Sequence, residues 1–123
     1  MRSKLATLLA VGALMLVLAA GAALAATFTC TQATCTGTDG NDFITGTARD
    51  QTIIGLRGND RLRDRLGPDH DNLQGRKGDD FLNTQEGNNA SSNTDRVNGG
   101  PGVDVCRVDS KDRVLNCEEV NPG

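Results

Sequence analysis

The sequence predicts an all-β fold, a two-sided coil in which short parallel strands alternate with glycine-rich turns. Units of nine residues recur in the middle of the 123-residue chain, with Gly at positions one and four, Asp at position six and an apolar residue at position eight. No stretch of 11 residues after the first 25 shows apolar spacing at 3.6, and glycine recurs too often for helices. A repeat held in phase over several units predicts a coil of stacked units.

Residues 1–25 predict a signal peptide. Arg2 and Lys4 precede an apolar run from Leu5 to Ala20 that carries no charge. Ala23-Leu24-Ala25 then fits the small-residue pattern of a cleavage site, and we place the cut after the last of these residues. A retained transmembrane anchor is the alternative, because the run could be long enough to span a bilayer. The cleavage pattern favours removal, and we therefore expect a secreted protein.

The composition of the remaining chain predicts that a hydrophobic core alone will not stabilise it. Only 26 of the 98 residues that follow the leader are apolar, and 16 Asp and Glu outnumber 11 Lys and Arg, a net charge of −5. Small domains of this kind are usually supplemented by disulfides or bound metal. A disordered linker is the alternative, but a disordered chain has no reason to hold Gly and Asp in phase.

Four cysteines in an exported chain predict two disulfides, for which three connectivities are possible. Cys30 and Cys35 lie close together at the start of the mature chain, and Cys106 and Cys117 lie close together near its end. We predict bridges within these two pairs, each pinning one end. Metal ligation by cysteine is the rival interpretation, but no Cys-x-x-Cys pair exists and the one histidine is distant in sequence.

The clearest units begin at Gly37, Gly55, Gly75 and Gly99, and a poorer one begins at Gly46. Aligning the chain by position eight gives six apolar residues that should point inward from the strands, Ile44, Ile53, Leu62, Leu73, Leu82 and Cys106. The spacing is nine residues except for an insertion of two between Leu62 and Leu73 and an irregular stretch after Leu82 that includes Val97.

The turns have the chemistry of a site for a hard cation. Calcium takes six to eight oxygen ligands in irregular geometry, glycine allows successive carbonyls to face one point, and Asp adds negative charge. Zinc and copper are disfavoured because no imidazole or thiolate recurs, and magnesium because it demands stricter geometry. The predicted ligand residues are Gly37, Gly40, Gly55, Gly58, Gly75, Gly78, Asp42, Asp60, Asp71, Asp80 and Asp104. Asn41, Asn59 and Asp79, at position five, are expected to face solvent or support the turn.

These units resemble the calcium-binding nonapeptide repeats of RTX (haemolysin-type) proteins, with the consensus G-G-x-G-x-D-x-U-x. The resemblance covers Gly37 to Arg107; the last unit matches every specified position, and three others lack only the second glycine. It implies a parallel β-roll that binds Ca²⁺ in its turns and folds when the ion arrives. The domain organisation is then a signal peptide (1–25), an N-terminal disulfide segment (26–36), the β-roll (37–107) and a C-terminal cap with a disulfide (108–123).

In such a roll alternate units lie on the same side, which would place Asp42, Asp60 and Asp80 on one edge. Gln51, Asp71 and, more weakly, Asn89 would lie on the other edge. An amide contributes less charge than a carboxylate, so we expect the first edge to bind ions better. Two sites are predicted, one between the turns of Asp42 and Asp60 and one between those of Asp60 and Asp80. The edge on which Asp104 lies is open at this point.

Other function classes find little support in the sequence. An arginine cluster at 57–65 is interrupted by Asp60 and Asp64 and lacks aromatic partners, so nucleic-acid binding is not expected. No nucleophile–base pair, phosphate loop or paired-acid site is recognisable, which predicts a non-enzyme. We expect calcium ions as partners, with cell-surface or matrix components as further candidates, and no membrane insertion once the leader is removed. A secreted disulfide-stapled ligand-binding or inhibitor domain, using the repeat only as scaffold, is the alternative.

Overall fold

The computed structural model describes residues 24–65, 69–86 and 93–123, and these residues contain eleven short strands and no helix. The strands are β1 (Thr27–Thr29), β2 (Thr34–Thr36), β3 (Phe43–Thr45), β4 (Thr52–Arg57), β5 (Arg61–Arg63), β6 (Asn72–Lys77), β7 (Phe81–Asn83), β8 (Arg96–Asn98), β9 (Val105–Val108), β10 (Arg113–Leu115) and β11 (Glu119–Pro122).

Successive strands alternate between two parallel sheets. One sheet has the order β1-β3-β5-β7-β9-β11 and the other the order β10-β8-β6-β4-β2. Ile44 pairs with Leu62 and Leu62 with Leu82, so that each full coil consists of two nonapeptide units with any inserted residues. The predicted all-β parallel β-roll, a two-sided β-solenoid, is confirmed.

The core between the sheets is one side chain deep. All six predicted position-eight residues have no exposed surface, and Val97 and Val108 are also buried. In β3, β5 and β7 only the central residue is buried, because the side chains on either side of it point to the outer face. So thin a core provides little hydrophobic stabilisation for each coil.

The two cysteine pairs are bridged as predicted, Cys30 with Cys35 and Cys106 with Cys117. Their Cα atoms lie 5.7 and 6.1 Å apart, within the ordinary range for disulfides. The first bridge links the turn after β1 to β2, and the second links β9 to the turn before β11. The terminal segments also continue the coil, because β1, β2, β10 and β11 pair with the neighbouring strands of the repeat.

Turns connect the sheets along two edges that differ in regularity. On the edge that we call the glycine edge, the turns, counted from position one to position six, are 37–42, 55–60, 75–80 and 99–104, each of six residues. The first three residues of 55–60 and 75–80 also extend β4 and β6. On the opposite edge, which we call the insertion edge, the turns 46–51, 64–71 and 84–95 have six, eight and twelve residues. All the irregular spacing of the central repeats is therefore confined to one edge.

The predicted signal peptide lies outside the described residues apart from Leu24 and Ala25. The domain boundaries that follow from it stay predictions. Within the described ranges, no helix has the length and apolar character needed to cross a membrane.

Candidate metal-binding edge

The position-six carboxylates of the glycine edge form a continuous column. The backbone N–H groups of Asp42 and Asp60 each donate a 2.8 Å hydrogen bond to Oδ1 of the position-six Asp in the next coil, Asp60 and Asp80. The Asp80 N–H donates in the same way to Asp104, at 2.7 Å. One oxygen of each receiving carboxylate is thus used to join coils, and this bond fixes the direction of the other oxygen.

That second oxygen has no partner. Oδ2 of Asp60, Asp80 and Asp104 is buried and receives no hydrogen bond from the described residues. A buried carboxylate oxygen without a donor is strongly unfavourable unless a cation balances it. Three such oxygens at the same position of successive coils therefore fit a row of cation sites.

The position-one glycines leave room beside these oxygens. A Cβ on Gly55 or Gly75 would collide with Oδ2 of the Asp five residues later in the same turn. The same Cβ positions lie 2.9 Å from the Gly75 carbonyl oxygen and 2.7 Å from the Gly99 carbonyl oxygen of the following coil. Carboxylate and carbonyl oxygens therefore border one space, and this all-oxygen donor set suits calcium.

The position-four glycines allow the coils to stack closely. Gly58, Gly78 and Gly102 have φ values of 98°, 128° and 135°, a region that side chains rarely adopt. A Cβ on Gly78 or Gly102 would also collide with the carbonyl of the position-four glycine in the preceding coil. Glycine is required here by both conformation and packing.

The carboxylates of the column are hard to ionise unless a cation is bound. Burial first, and then the charge of neighbouring carboxylates, raise the pKa of Asp60 to about 6 and that of Asp80 to about 7, although the backbone hydrogen bond to each opposes the shift. The pKa of Asp104 is also raised, by burial first and then by the charges of Glu118 and Asp79. In the absence of a cation, the fold therefore disfavours charge on these groups, whereas a bound divalent ion would favour their ionised form.

The first turn of the glycine edge differs from the others. Thr38 donates to Asp42 Oδ2 through its backbone N–H at 2.5 Å and to Oδ1 through its hydroxyl at 2.8 Å. Ala26 N donates to Asp42 Oδ1 at 2.7 Å. Both oxygens of Asp42 are thus satisfied within the protein, unlike those of Asp60, Asp80 and Asp104.

Comparison with protein-family models matches residues 36–63 and 66–106 to the RTX calcium-binding nonapeptide repeat, in four copies. The match covers more than half of the chain. The chain belongs to this RTX repeat family. No curated protein and no solved structure matches it significantly. The matched segments contain all four six-residue turns of the glycine edge, so the family and the geometry identify the same residues as an RTX calcium-binding repeat.

The structure places four of the five predicted aspartates on the glycine edge and the fifth on the insertion edge. Asp42, Asp60 and Asp80 share the glycine edge as expected, with the position-one and position-four glycines beside them. Asp104, whose edge was open, joins the same column and adds a third interval between turns. Asp71 lies on the insertion edge, as expected.

The insertion edge carries its own column at position six. The Gln51 N–H donates to Asp71 Oδ1 at 2.7 Å, the Asp71 N–H to Asp95 Oδ1 at 2.8 Å and the Asp95 N–H to Asp112 Oδ1 at 3.0 Å. Sequence reasoning missed Asp95 and named Asn89, which lies outside the described residues. The signal was available, because Asp95 lies two residues before the buried Val97, as position six precedes position eight.

Gln51 satisfies its own hydrogen-bonding groups. Its Oε1 accepts from Thr47 N at 2.6 Å, and its Nε2 donates to the carbonyls of Cys30 and Gln32, both at 2.8 Å. The amide thereby bonds to the disulfide turn and leaves no oxygen for a cation. Weaker ion binding on the edge of Gln51 stays a prediction.

The position-five residues form an exposed ladder outside the carboxylate column. Asn41 Oδ1 accepts from Asn59 N at 2.8 Å, Asn59 Oδ1 from Asp79 N at 2.9 Å, and Asp79 Oδ1 from Val103 N at 2.9 Å. These side chains both face solvent and support the next turn.

Proposed function

We propose that this RTX repeat protein is secreted and binds Ca²⁺ between successive turns of its glycine edge, and that ion binding drives folding of the β-roll. The observation that carries the proposal is the row of unpartnered, buried Oδ2 atoms on Asp60, Asp80 and Asp104. Together with the glycine carbonyls, these residues would hold the ions, and each ion would supply the positive charge that the column lacks.

The thin core supports a folding role for the ion. Each central strand buries one apolar side chain, while the chain after the leader carries a net charge of −5. Conformational entropy and self-repulsion both oppose compaction of such a chain. An ion that binds only the folded form stabilises it in proportion to the logarithm of its free concentration above Kd.

The predicted leader and the two disulfides support secretion, since disulfides persist in oxidising compartments. Extracellular calcium would occupy even weak sites with Kd of about 10⁻⁴ to 10⁻³ M. We further propose that the protein acts by binding, as a component of a surface or matrix, and not by catalysis. The position-six carboxylates support this, because Asp60, Asp80 and Asp104 each accept a backbone N–H bond that joins two coils and so belong to the framework of the fold.

Circular dichroism of the refolded chain from Ala26 onward, first with chelator and then with Ca²⁺, tests the folding role. We expect a gain of β structure on adding Ca²⁺, because the carboxylate column is balanced only when ions are bound. Identical spectra under both conditions would overturn the folding role and favour the disulfide-stapled scaffold.

Calorimetric titration of Asp60→Asn with Ca²⁺ tests the site assignment. Asp60 borders two intervals of the column, so we expect the variant to bind fewer ions than the unsubstituted chain, by up to two. Asp39→Asn is the matched control, because it removes an exposed carboxylate of the same edge. Unchanged stoichiometry in Asp60→Asn would show that the ions bind elsewhere.

A further inference from the structure

A second group of carboxylates lies on the insertion edge, outside the repeat pattern. Asp64 begins the turn after β5, Asp69 lies in the same turn, and Glu86 lies in the turn after β7. One carboxylate oxygen from each of the three lies within 4.8 Å of the others. We call these residues the acidic triad.

Most oxygens of the triad are buried and unpartnered. Asp64 is 6% exposed and Asp69 is 4% exposed. Within the described part of the chain, Asp64 Oδ2, both oxygens of Asp69 and Glu86 Oε1 receive no hydrogen bond. Asp71 adds a fourth buried carboxylate within hydrogen-bonding reach of Asp64, as Glu86 is of Asp69. Two ionised carboxylates cannot hydrogen-bond to each other, so without a cation each pair is satisfied only when it shares a proton.

The fold holds the triad in place instead of letting it turn to solvent. The Asp64 N–H donates to the Asn83 carbonyl at 2.9 Å, and the Glu86 N–H donates to Asp109 Oδ2 at 2.9 Å. Glu86 Oε2 also accepts from Asn93 Nδ2 at 2.6 Å, which directs the other oxygen, Oε1. Because these bonds fix the backbone and one side-chain oxygen, the free oxygens are organised before any ligand arrives.

The triad is not a further copy of the repeat site. Gly46 N donates to the Arg63 carbonyl, and Asp64 N makes the corresponding bond one coil later, so Asp64 stands at position one. Where the repeat has glycine and leaves space for a position-six carboxylate, this turn introduces a carboxylate of its own. The two-residue insertion in the same turn supplies the length that brings Asp69 in beside it.

We propose that Asp64, Asp69 and Glu86, with Asp71 Oδ2 beside them, form an additional calcium site on the insertion edge. The donor set is entirely oxygen, which selects a hard divalent cation over zinc or copper. Ca²⁺ lies about 2.3–2.6 Å from its oxygen ligands, and three oxygens that all lie within 4.8 Å of one another can therefore reach a single ion. This site does not depend on the ions of the glycine edge.

The test is calorimetric titration of the disulfide-bonded chain from Ala26 onward with Ca²⁺, comparing Asp69→Asn with the unsubstituted protein. Asparagine has nearly the same size as aspartate and can still hydrogen-bond to Glu86, so the substitution should leave the fold intact. We expect Asp69→Asn to bind one ion fewer. Asp50→Asn, which removes an exposed carboxylate from the same edge, should retain the full number.

A second variant and a stability measurement complete the test. Glu86→Gln should also bind one ion fewer, and Asp69→Asn should unfold at a higher temperature than the unsubstituted chain in chelator, because it removes one of the clustered carboxylates. Full stoichiometry in both variants would overturn this site alone. Absence of calcium binding by the unsubstituted chain would overturn the proposed function as well.

Discussion

The two edges of the β-roll show how one repeat can be kept or modified independently on its two sides. On the glycine edge every central turn has six residues, and its position-one and position-four glycines are all retained. On the insertion edge the turns lengthen from six to twelve residues, and position one is occupied in turn by Gly46, Asp64 and Thr84. Both edges nevertheless keep a column of backbone bonds to position-six oxygens, so strand register survives the insertions.

The difference lies in how the remaining position-six oxygens are satisfied. Gln51 bonds to Thr47 N and to two carbonyls near the first disulfide, so this end of the insertion edge is complete within the protein. Asp60, Asp80 and Asp104 retain a free oxygen on the glycine edge. Each edge thus begins with a position-six side chain that is satisfied within the protein, Asp42 or Gln51, but a free position-six oxygen then recurs in three coils of the glycine edge and only at Asp71 among the described residues of the insertion edge.

The largest expected effect comes from adding a methyl group to Gly78 on the glycine edge, and the same change at Gly46 on the insertion edge is the comparison. Gly78→Ala should destabilise the calcium-bound protein by at least about 3 kcal/mol, because φ of 128° strains alanine and its Cβ would collide with the Gly58 carbonyl. Gly46→Ala should cost less than about 1 kcal/mol, since its Cβ would lie 3.1 Å from Gln51 Oε1 without positive φ. Urea unfolding in Ca²⁺ measures both, and equal losses would remove this distinction between the edges.

A smaller effect is expected from removing the internal hydrogen bonds of Gln51. Gln51→Ala should lower the free energy of unfolding by about 2 kcal/mol, because it leaves the carbonyl of the buried Cys30 without its hydrogen bond and removes two further bonds, to Thr47 and Gln32. Calcium stoichiometry should not change. Gln74→Ala, on the outer face of β6, should stay within about 0.5 kcal/mol of the unsubstituted chain. Loss of a bound ion in Gln51→Ala would show that this part of the insertion edge also binds calcium.

The smallest effect is an improvement of the glycine edge. Arg76 occupies the consensus position of a second glycine at φ of 79°, and Leu56 does the same one coil earlier at 85°. Arg76→Gly should stabilise the protein by about 0.5–1 kcal/mol, because the strain removed exceeds the added flexibility of the unfolded chain. Lys77→Gly, next to it in β6 without positive φ, should be destabilising. If both variants lose stability, Arg76 makes contacts that outweigh its strain.

Much of the fold could be predicted because the repeat encodes strand, turn and inward residue in a fixed phase. Leu62 and Leu82 both lie at position eight, and both are completely buried. The disulfides were also predictable, since each joins cysteines that are near in sequence.

The sequence could not place residues beyond the irregular stretch. Between Leu82 and Cys106 the number of inserted residues does not by itself show whether Asp104 returns to the first edge; strand pairing of β7 with β9 decides it. The acidic triad was hidden for another reason. Asp64 stands at position one, where the repeat expects glycine, and the two-residue insertion brings in Asp69. Glu86 lies in the turn of the next coil and comes close to them only when the coils stack.

The hydrogen bond from Ala26 N to Asp42 Oδ1 links the proposed processing of the chain to its folding. In the uncut chain this nitrogen is a neutral amide. After cleavage following Ala25 it would be the terminal amine, with an ordinary pKa of about 7.7–8.0 and a positive charge at neutral pH. Removal of the leader would thus turn this hydrogen bond into an ion pair at the open end of the carboxylate column. Maturation would then stabilise the first coil through the charge on one nitrogen atom.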